Sequence, residues 1–403
     1  MIPVADALAI IAAAAKPGEP EAAALCDGVG RVLAAAVVSD VDWPPFDTSA
    51  MDGYALRMAD VAGKGSRLSE RPGTVAAGDA PPAPLETAEA VRVMTGAPLP
   101  LGAEAIVPVE RVRRQGGHVF FDAAPAPGAH IRRRGESIAA GTPLLAAGRR
   151  LRPSDMALAA LAGADPLRVF PRPRLAIAVT GNELVAPTLR PGPGQLRDSN
   201  GPMLLALAGV HGWPARALPR VPDDASAIER LFASAGETED VLVTSGGVSA
   251  GDLDLLPAAA KRSGFELLFH GVAVSPGKPM VLGRRGRVLW LGLPGNPVSS
   301  SVCFHLFVRF ALDCLEGDGA PGAPRVTARL MRDLACSSRE TYRDAILSTS
   351  DAENRAEPIG SAGSHDIAAH ARANALIRVP AGAQRLPAGA TVECVVMHEA
   401  STS

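Results

Sequence analysis

Three short apolar runs, Leu175 to Val179, Val241 to Thr244 and Val288 to Gly292, each break at the carboxyl end into glycine, hydroxyl and amide residues. The first empties into Thr180-Gly181-Asn182-Glu183-Leu184 and the second into Ser245-Gly246-Gly247-Val248-Ser249. The third runs into Leu293-Pro294-Gly295-Asn296-Pro297, ahead of an apolar helical stretch from Val298 to Leu312. Buried strands that end this way describe an open α/β sheet, mostly parallel, whose ligand crevice lies where the strands stop. The site is expected there.

The rest of the chain is arranged around that unit. At 403 residues it exceeds one core and calls for two to four domains at roughly 100–200 residues each. Residues 4 to 38 read as helical, with Val4, Leu8 and Ile11 at helical spacing and a second run through Leu25, Val29, Val32 and Leu33. Paired prolines at Pro44 and Pro45 then open an ordered loop through Met51, Asp52 and Gly53, the glycine allowing a turn that other residues resist. Short valine-bearing runs between Gly/Pro turns make 42–136 a small β domain. Residues 1–41 with 137–172 form a helical or mixed segment, in which Pro153-Ser154-Asp155 opens a helix. The α/β unit spans 173–317, and a second β domain closes the chain over 323–403. The expected class is therefore α/β plus β, a multidomain chain.

Composition narrows the partners. A formal net charge of −2 gives no whole-chain field toward nucleic acid or an anionic membrane, so any anion must be held by a local site. The cysteines Cys26, Cys303, Cys314, Cys336 and Cys394 are scattered, without disulfide or zinc spacing. The opening Met1 to Asp6 lacks a basic stretch, and no apolar run reaches the roughly eighteen residues of a membrane span. A reducing cytoplasm is the expected setting.

Ser245-Gly246-Gly247 after a buried strand offers amides and hydroxyls to an oxyanion, or is simply a tight strand-to-helix turn. Glu183, Asp223, Asp252 and Asp254 all fall on crevice-side loops. Carboxylates repel a phosphate unless a hard cation lies between them, so the two features together point to magnesium. For Asp223 and Asp254 a helix N-cap is the competing role. Lys278, between Pro276-Gly277 and Pro279, either aims a cation at the crevice or is an exposed turn lysine. Pro294-Gly295-Asn296-Pro297 sets a helix N-terminus at the same end of the sheet. Arg132-Arg133-Arg134 is an anion clamp or a solvated charge run, and Asp52 is a functional acid or the head of an Asx-turn.

Seven stretches together carry a resemblance. Ser49 to Ala55 (SAMDGYA), Met94 to Pro100 (MTGAPLP), Thr180 to Leu184 (TGNEL), Arg197 to Asn200 (RDSN), Thr244 to Ser249 (TSGGVS), Pro276 to Pro279 (PGKP) and Leu293 to Pro297 (LPGNP) occur in one order. They resemble, in that order, the molybdopterin molybdenumtransferase family of MoeA and the gephyrin E domain. The resemblance implies an elongated homodimer of four-domain chains, the 1–41 with 137–172 segment serving dimerisation and the α/β domain similar to the MogA-type adenylyltransferase fold. It implies a reaction in which adenylylated molybdopterin is hydrolysed with magnesium, molybdate enters the dithiolene and AMP leaves. It also implies roles: Asp52 and Thr95 reaching the site, Glu183 and Asp254 on magnesium, and Lys278 neutralising phosphate or molybdate. Asp223 would line the pocket, while Asp198, Ser199 and Asn200 with Ser245, Gly246, Gly247 and Ser249 would bind the pterin phosphate and nucleotide, together with the Pro294, Gly295, Asn296 turn. A MogA-type adenylyltransferase and molybdoenzyme acceptors are the implied partners. The chain departs from the family pattern at Ser137, where an aspartate is usual, and at Ser275, where a lysine is usual. Each change alters the field on a molybdate, so a paralogue with altered or weak activity, binding molybdopterin or its adenylate without efficient metal insertion, is the alternative.

Overall fold

The computed structural model describes residues 1–62, 65–248, 255–335, 337–350, 352–382 and 385–398. The chain forms two compact units, one of Met1–Ala35, Ala147–Arg152 and Pro166–Ser403, the other of Ala36–Ala146 and Pro153–Asp165.

The first unit is built on a six-stranded sheet. In chain order the strands are Leu175–Val179 (β1), Ala215–Ala217 (β2), Val241–Ser245 (β3), Glu266–His270 (β4), Val281–Arg285 (β5) and Val288–Leu293 (β6), and in space they run β2-β1-β3-β6-β5-β4. The strands from β2 to β6 in that order are parallel, while β5 pairs antiparallel with both β6 and β4, so it alone runs against the rest. Because β1 has β2 on one side and β3 on the other, the direction of winding reverses between β1 and β3. Such a reversal opens a crevice at the carboxyl ends of the strands.

Helices Val4–Ala14 (α1), Asn200–Val210 (α2), Ala225–Ser234 (α3), Leu255–Arg262 (α4) and Pro297–Leu315 (α5) cover the sheet. Strand alternation decides which face each helix meets. Leu175, Ile177, Val241, Val243, Leu289 and Leu291 share a core with α1, α2 and α5, whereas Ala176, Ala178, Leu242 and Trp290 face α3 and α4. Trp290 is fully buried, stands edge-on to Phe232 at 4.8 Å, and donates from its indole N–H to Thr244 Oγ1 at 2.9 Å. Truncating such a side chain to alanine costs about 3–5 kcal/mol. Helix α5 is long and apolar enough to cross a membrane, contrary to the expectation that no stretch reaches that length, yet 83% of that stretch is buried within the protein. A helix enclosed on every side by core has the same all-round apolar composition as a membrane span.

Residues 21–38 correct the helical expectation. Glu21–Ala23 is a strand antiparallel to Leu167–Val169, Leu25–Asp27 is one 3-10 turn, and Val32 and Leu33 bridge to Arg150 and Val169. Gly30, at φ +78°, breaks any helix there, and the adjacent residues Val32 and Leu33 are both fully buried, which a one-sided helix does not do.

The C-terminal part of this unit is a small barrel. Glu340–Ser350 pairs with both Glu353–Pro358 and Ala375–Val379, and Arg325–Leu330 and Thr391–Val396 complete the ring. Val274–Ser275 adds to it in parallel, Val274 opposite Glu340 and Ser275 opposite Thr341. The loop that carries Lys278 is thereby docked on the barrel.

The second unit holds a six-stranded sheet in the order Ala105–Pro108, Gly53–Leu56, Glu89–Val93, Arg67–Val75, His118–Phe121, Val112–Gln115. Tyr54, Leu56, Leu68, Val107 and Phe121 fill its core, and Pro153–Leu161 is helical as expected. Gly53 is not a turn residue. It lies within a strand, where a Cβ would come 2.3 Å from the carbonyl oxygen of Val107, so the strands' close approach is what demands glycine.

Candidate active site

At the carboxyl ends of β1, β3 and β6 lies a cleft of about 1040 Å³. It is lined by Glu183, Asp198, Ser199, Asn200, Asp223, Ser245, Gly246, Gly247, Pro294, Gly295 and Asn296, all of them expected from sequence. Ser249, Asp252 and Asp254 lie outside the described residues.

Its floor is held by buried polar groups. Asn200 Nδ2 donates to Ser245 Oγ at 2.8 Å and to the Gly295 carbonyl at 2.7 Å, and Ser245 Oγ lies 3.0 Å from Ser300 Oγ. One side chain at the start of α2 thus ties together the loops that follow β3 and β6. The Ser245 hydroxyl and the Asn200 amide are buried and bonded to each other, and the Gly246 amide donates to the Leu293 carbonyl at 3.1 Å, so an anion at this turn would have to be met by the amides that follow Gly246. Gly246 has φ +95°, and a Cβ there would fall 2.7 Å from the Thr180 carbonyl oxygen. Only glycine makes this turn without displacing the end of β1.

The acids separate by what they bond. Asp224, not Asp223, caps α3, accepting from the Ala227 amide at 3.0 Å. Asp223 instead accepts from the Asn182 amide at 3.1 Å while its own amide donates to Asn182 Oδ1 at 3.2 Å, a reciprocal latch between the loops after β1 and β2. Arg220, missed in the sequence, clamps the same loop by donating to the Leu184 carbonyl at 2.6 Å. Asp198 accepts from the Gly201 amide at 2.9 Å in the first turn of α2. The Glu183 side chain is exposed at the cleft wall. Among the described residues no group of three or more His, Cys, Asp or Glu stands ready to hold a metal. Magnesium asks for less, one or two carboxylates with phosphate oxygens and water, and the exposed carboxylate of Glu183 fits that donor chemistry.

A smaller cleft of about 350 Å³ adjoins the first, sharing Pro279 and Ser299 with it. Lys278 lines this one, with Ser275, Arg339, Arg343, Asp344 and Ser364. The barrel residues are the ones sequence reading missed. Val274–Ser275 brings them in, and Arg339 secures the join by donating to the Val274 carbonyl at 3.1 Å. Asn296 Nδ2 donates to Ser364 Oγ at 2.8 Å, which fixes the barrel to the start of α5.

In the second unit Asp52 and Thr95 do come together. Asp52 Oδ1 accepts from the Thr95 amide at 2.7 Å and from Thr95 Oγ1 at 2.8 Å, and those bonds hold its carboxyl below the usual carboxylate range. Its partner is remote in sequence, so this is no Asx-turn. Arg133 and Arg134 are committed to ion pairs, with Asp47 and Asp42, each at 2.6 Å. Ser137 is exposed and donates its amide to the Trp43 carbonyl at 3.1 Å.

Comparison with known proteins decides the family. The chain matches the models described as MoeA N-terminal region (domain I and II) over 2–163, probable molybdopterin binding domain over 176–313, and MoeA C-terminal region (domain IV) over 327–397. It belongs to the MoeA family. It is 34% identical to Molybdopterin molybdenumtransferase 2 of Mycobacterium tuberculosis, over 95% of this chain and 96% of that one. It is 32% identical to the Bacillus subtilis molybdopterin molybdenumtransferase, over 100% of this chain and 95% of that one. Two solved structures of the molybdopterin biosynthesis MoeA protein from Pyrococcus horikoshii superpose with TM-scores of 0.84 and 0.83 at 30% and 28% identity. They cover 99% and 98% of this MoeA-family chain and 100% of their own.

Proposed function

We propose that this protein is a molybdopterin molybdenumtransferase, hydrolysing adenylylated molybdopterin in a magnesium-dependent step, inserting molybdate into the dithiolene and releasing AMP. The observation that carries the reading is the pair of adjoining clefts, one walled by amides and carboxylates, the other by Lys278, Arg339 and Arg343. A phosphate-bearing organic anion and a bare inorganic oxyanion are the two kinds of guest such walls suit. The names of the 34% and 32% identical relatives agree with it.

In this reading the turn after β3 and the starts of α2 and α5 face the phosphate, where helix N-termini favour negative charge, although the Gly201 and Val298 amides are already given to Asp198 and to the Ser364 carbonyl. The Asn182–Asp223 latch holds the loop bearing Glu183 against the nucleotide end. Lys278, Arg339 and Arg343 hold molybdate beside the dithiolene. Glu183, with Asp254 as the resemblance implies, would hold magnesium, whose positive charge would let carboxylates and phosphate share one cleft. Asp52, kept ionised by Thr95, serves the same reaction in a cytoplasmic homodimer. A MogA-type enzyme supplies the adenylate, and molybdoenzymes take the product.

The test is direct. Purified protein given the adenylate, magnesium and molybdate releases AMP and yields metallated cofactor. Ser275, on the small cleft where the family's lysine is usual, favours a second reading, binding without efficient insertion. Adenylate that stays bound and intact in that assay would establish the second and refute the first.

A further inference from the structure

Between helix α5 and the barrel lies a buried chain of three side chains. Ser301 Oγ is 2.8 Å from His370 Nε2, and His370 Nδ1 is 2.7 Å from Asp344 Oδ1. All three are under a tenth exposed: Ser301 at 3%, His370 and Asp344 each at 7%. The imidazole donates from Nδ1 to the carboxylate, which accepts only, and its Nε2 pairs with the serine hydroxyl. The order is that of a serine hydrolase triad, but Ser301 lines neither cleft and has no room for an acyl group. The member that reaches a cleft is Asp344, in the wall of the smaller one with Lys278, Arg339 and Arg343. Its Oδ1 is held by His370 Nδ1, which fixes the carboxylate at the cleft wall.

An acid in an oxyanion cleft works against binding a dianion, so its presence calls for another use. Metal insertion has one. When molybdate condenses with the dithiol form of molybdopterin, two Mo–S bonds form, two S–H bonds and one Mo–O bond break, and both thiol protons leave with the released oxygen as water. Molybdenum keeps its oxidation state, so no oxidant or reductant is needed. Protons must nevertheless travel from sulfur to oxygen. We propose that Asp344 is a catalytic residue that carries them, taking a thiol proton on Oδ2 and giving it to the departing oxygen, with His370 and Ser301 as positioning residues that fix its carboxylate. The proposal deepens the function proposed above and rests on molybdate occupying the smaller cleft.

Three measurements separate the possibilities. Lys278→Gln is first assayed for molybdate binding by calorimetry, and weakened binding is the expected result. Unchanged binding overturns the reading of the cleft, and this proposal with it. In Asp344→Asn the rate of metal insertion falls by about 10²-fold, the usual range for loss of a proton-transfer group, while molybdate binds more tightly because a repelling charge is gone. Insertion at the wild-type rate, or weaker insertion with equally weaker binding, shows a structural role only and overturns the proposal while leaving the cleft assignment standing. Should Asp344→Asn unfold, His370→Asn and His370→Leu decide. The asparagine can still donate to Asp344 from a position close to the lost Nδ1, although it no longer reaches Ser301, so it retains most of the insertion rate, whereas the leucine loses it. Equal rates in the two variants overturn the proposal.

Discussion

The two adjoining clefts are made of different material. The larger is backbone: a glycine turn after β3, the starts of α2 and α5, and loops held by buried Asn200, Ser245 and Ser300. The smaller is long side chains, Lys278 from the α/β domain with Arg339 and Arg343 from the barrel. Backbone amides fixed by a sheet cannot adjust, so they select a guest by shape. Lysine and arginine on flexible stems select by charge, and their hold weakens as salt rises. In the function proposed above, a rigid cleft for an organic phosphate beside a compliant one for an inorganic oxyanion would let one guest be placed while the other moves.

The sharpest way to break this contrast is Gly246→Ala. The added Cβ would stand 2.7 Å from the Thr180 carbonyl oxygen at φ +95°, so the turn must move and take the floor of the large cleft with it. Strain of this kind costs about 1–3 kcal/mol, and AMP release is expected to fall below detection while calorimetry still finds molybdate bound. Loss of both ligands together would show that the clefts are one site. Next in size is Lys278→Gln, with the opposite selectivity. A charge-assisted hydrogen bond contributes about 1.5–3 kcal/mol, so molybdate affinity drops roughly ten- to hundredfold while binding of AMP to the large cleft is largely kept. Smaller again is Asn182→Ala, which removes the acceptor for the Asp223 amide and loosens the loop bearing Glu183. The expected signature is a lower melting temperature, from a loss of about 1 kcal/mol, together with faster proteolysis within 181–185. An unchanged cleavage pattern would show that Arg220 and the surviving bond from the residue 182 amide to Asp223 hold that loop without the asparagine side chain.

What could be read from sequence follows the same division. Most of the large cleft was legible because its walls after β1, β3 and β6 are local: an apolar strand, then a glycine or amide turn, then a helix; His365 and Ile367, which reach it from the barrel, were not. The small cleft was half legible. Lys278 stands out between prolines, but Arg339 and Arg343 reach it only through the pairing of Val274–Ser275 with Glu340–Thr341, a contact that no local pattern announces. The stretch after residue 20 misled for a related reason. Leu25, Val29, Val32 and Leu33 have near-helical spacing, and only the long-range bridges to Arg150 and Val169 show that the chain is extended there. Gly53 taught the reverse, a glycine required by a neighbouring strand and not by its own dihedral angles.

Ser275→Lys is the smallest of these changes, and it tests the charge account of the small cleft. Ser275 is half-buried on that cleft's wall, and its place opposite Thr341 is set by strand pairing, so the substitution adds a cation without moving the loop. The new ammonium would join Lys278, Arg339 and Arg343 around the same oxyanion. An exposed or partly exposed charge pair is worth at most about 1 kcal/mol, so molybdate affinity should rise no more than about fivefold. The gain should fade between low and physiological ionic strength as the Debye length shrinks to about 8 Å. AMP affinity in the large cleft should stay where it was, because fixed amides gain little from one more mobile cation in the next compartment. A larger gain, insensitive to salt, would mean that the lysine is desolvated against its guest and that the small cleft is as rigid as its neighbour.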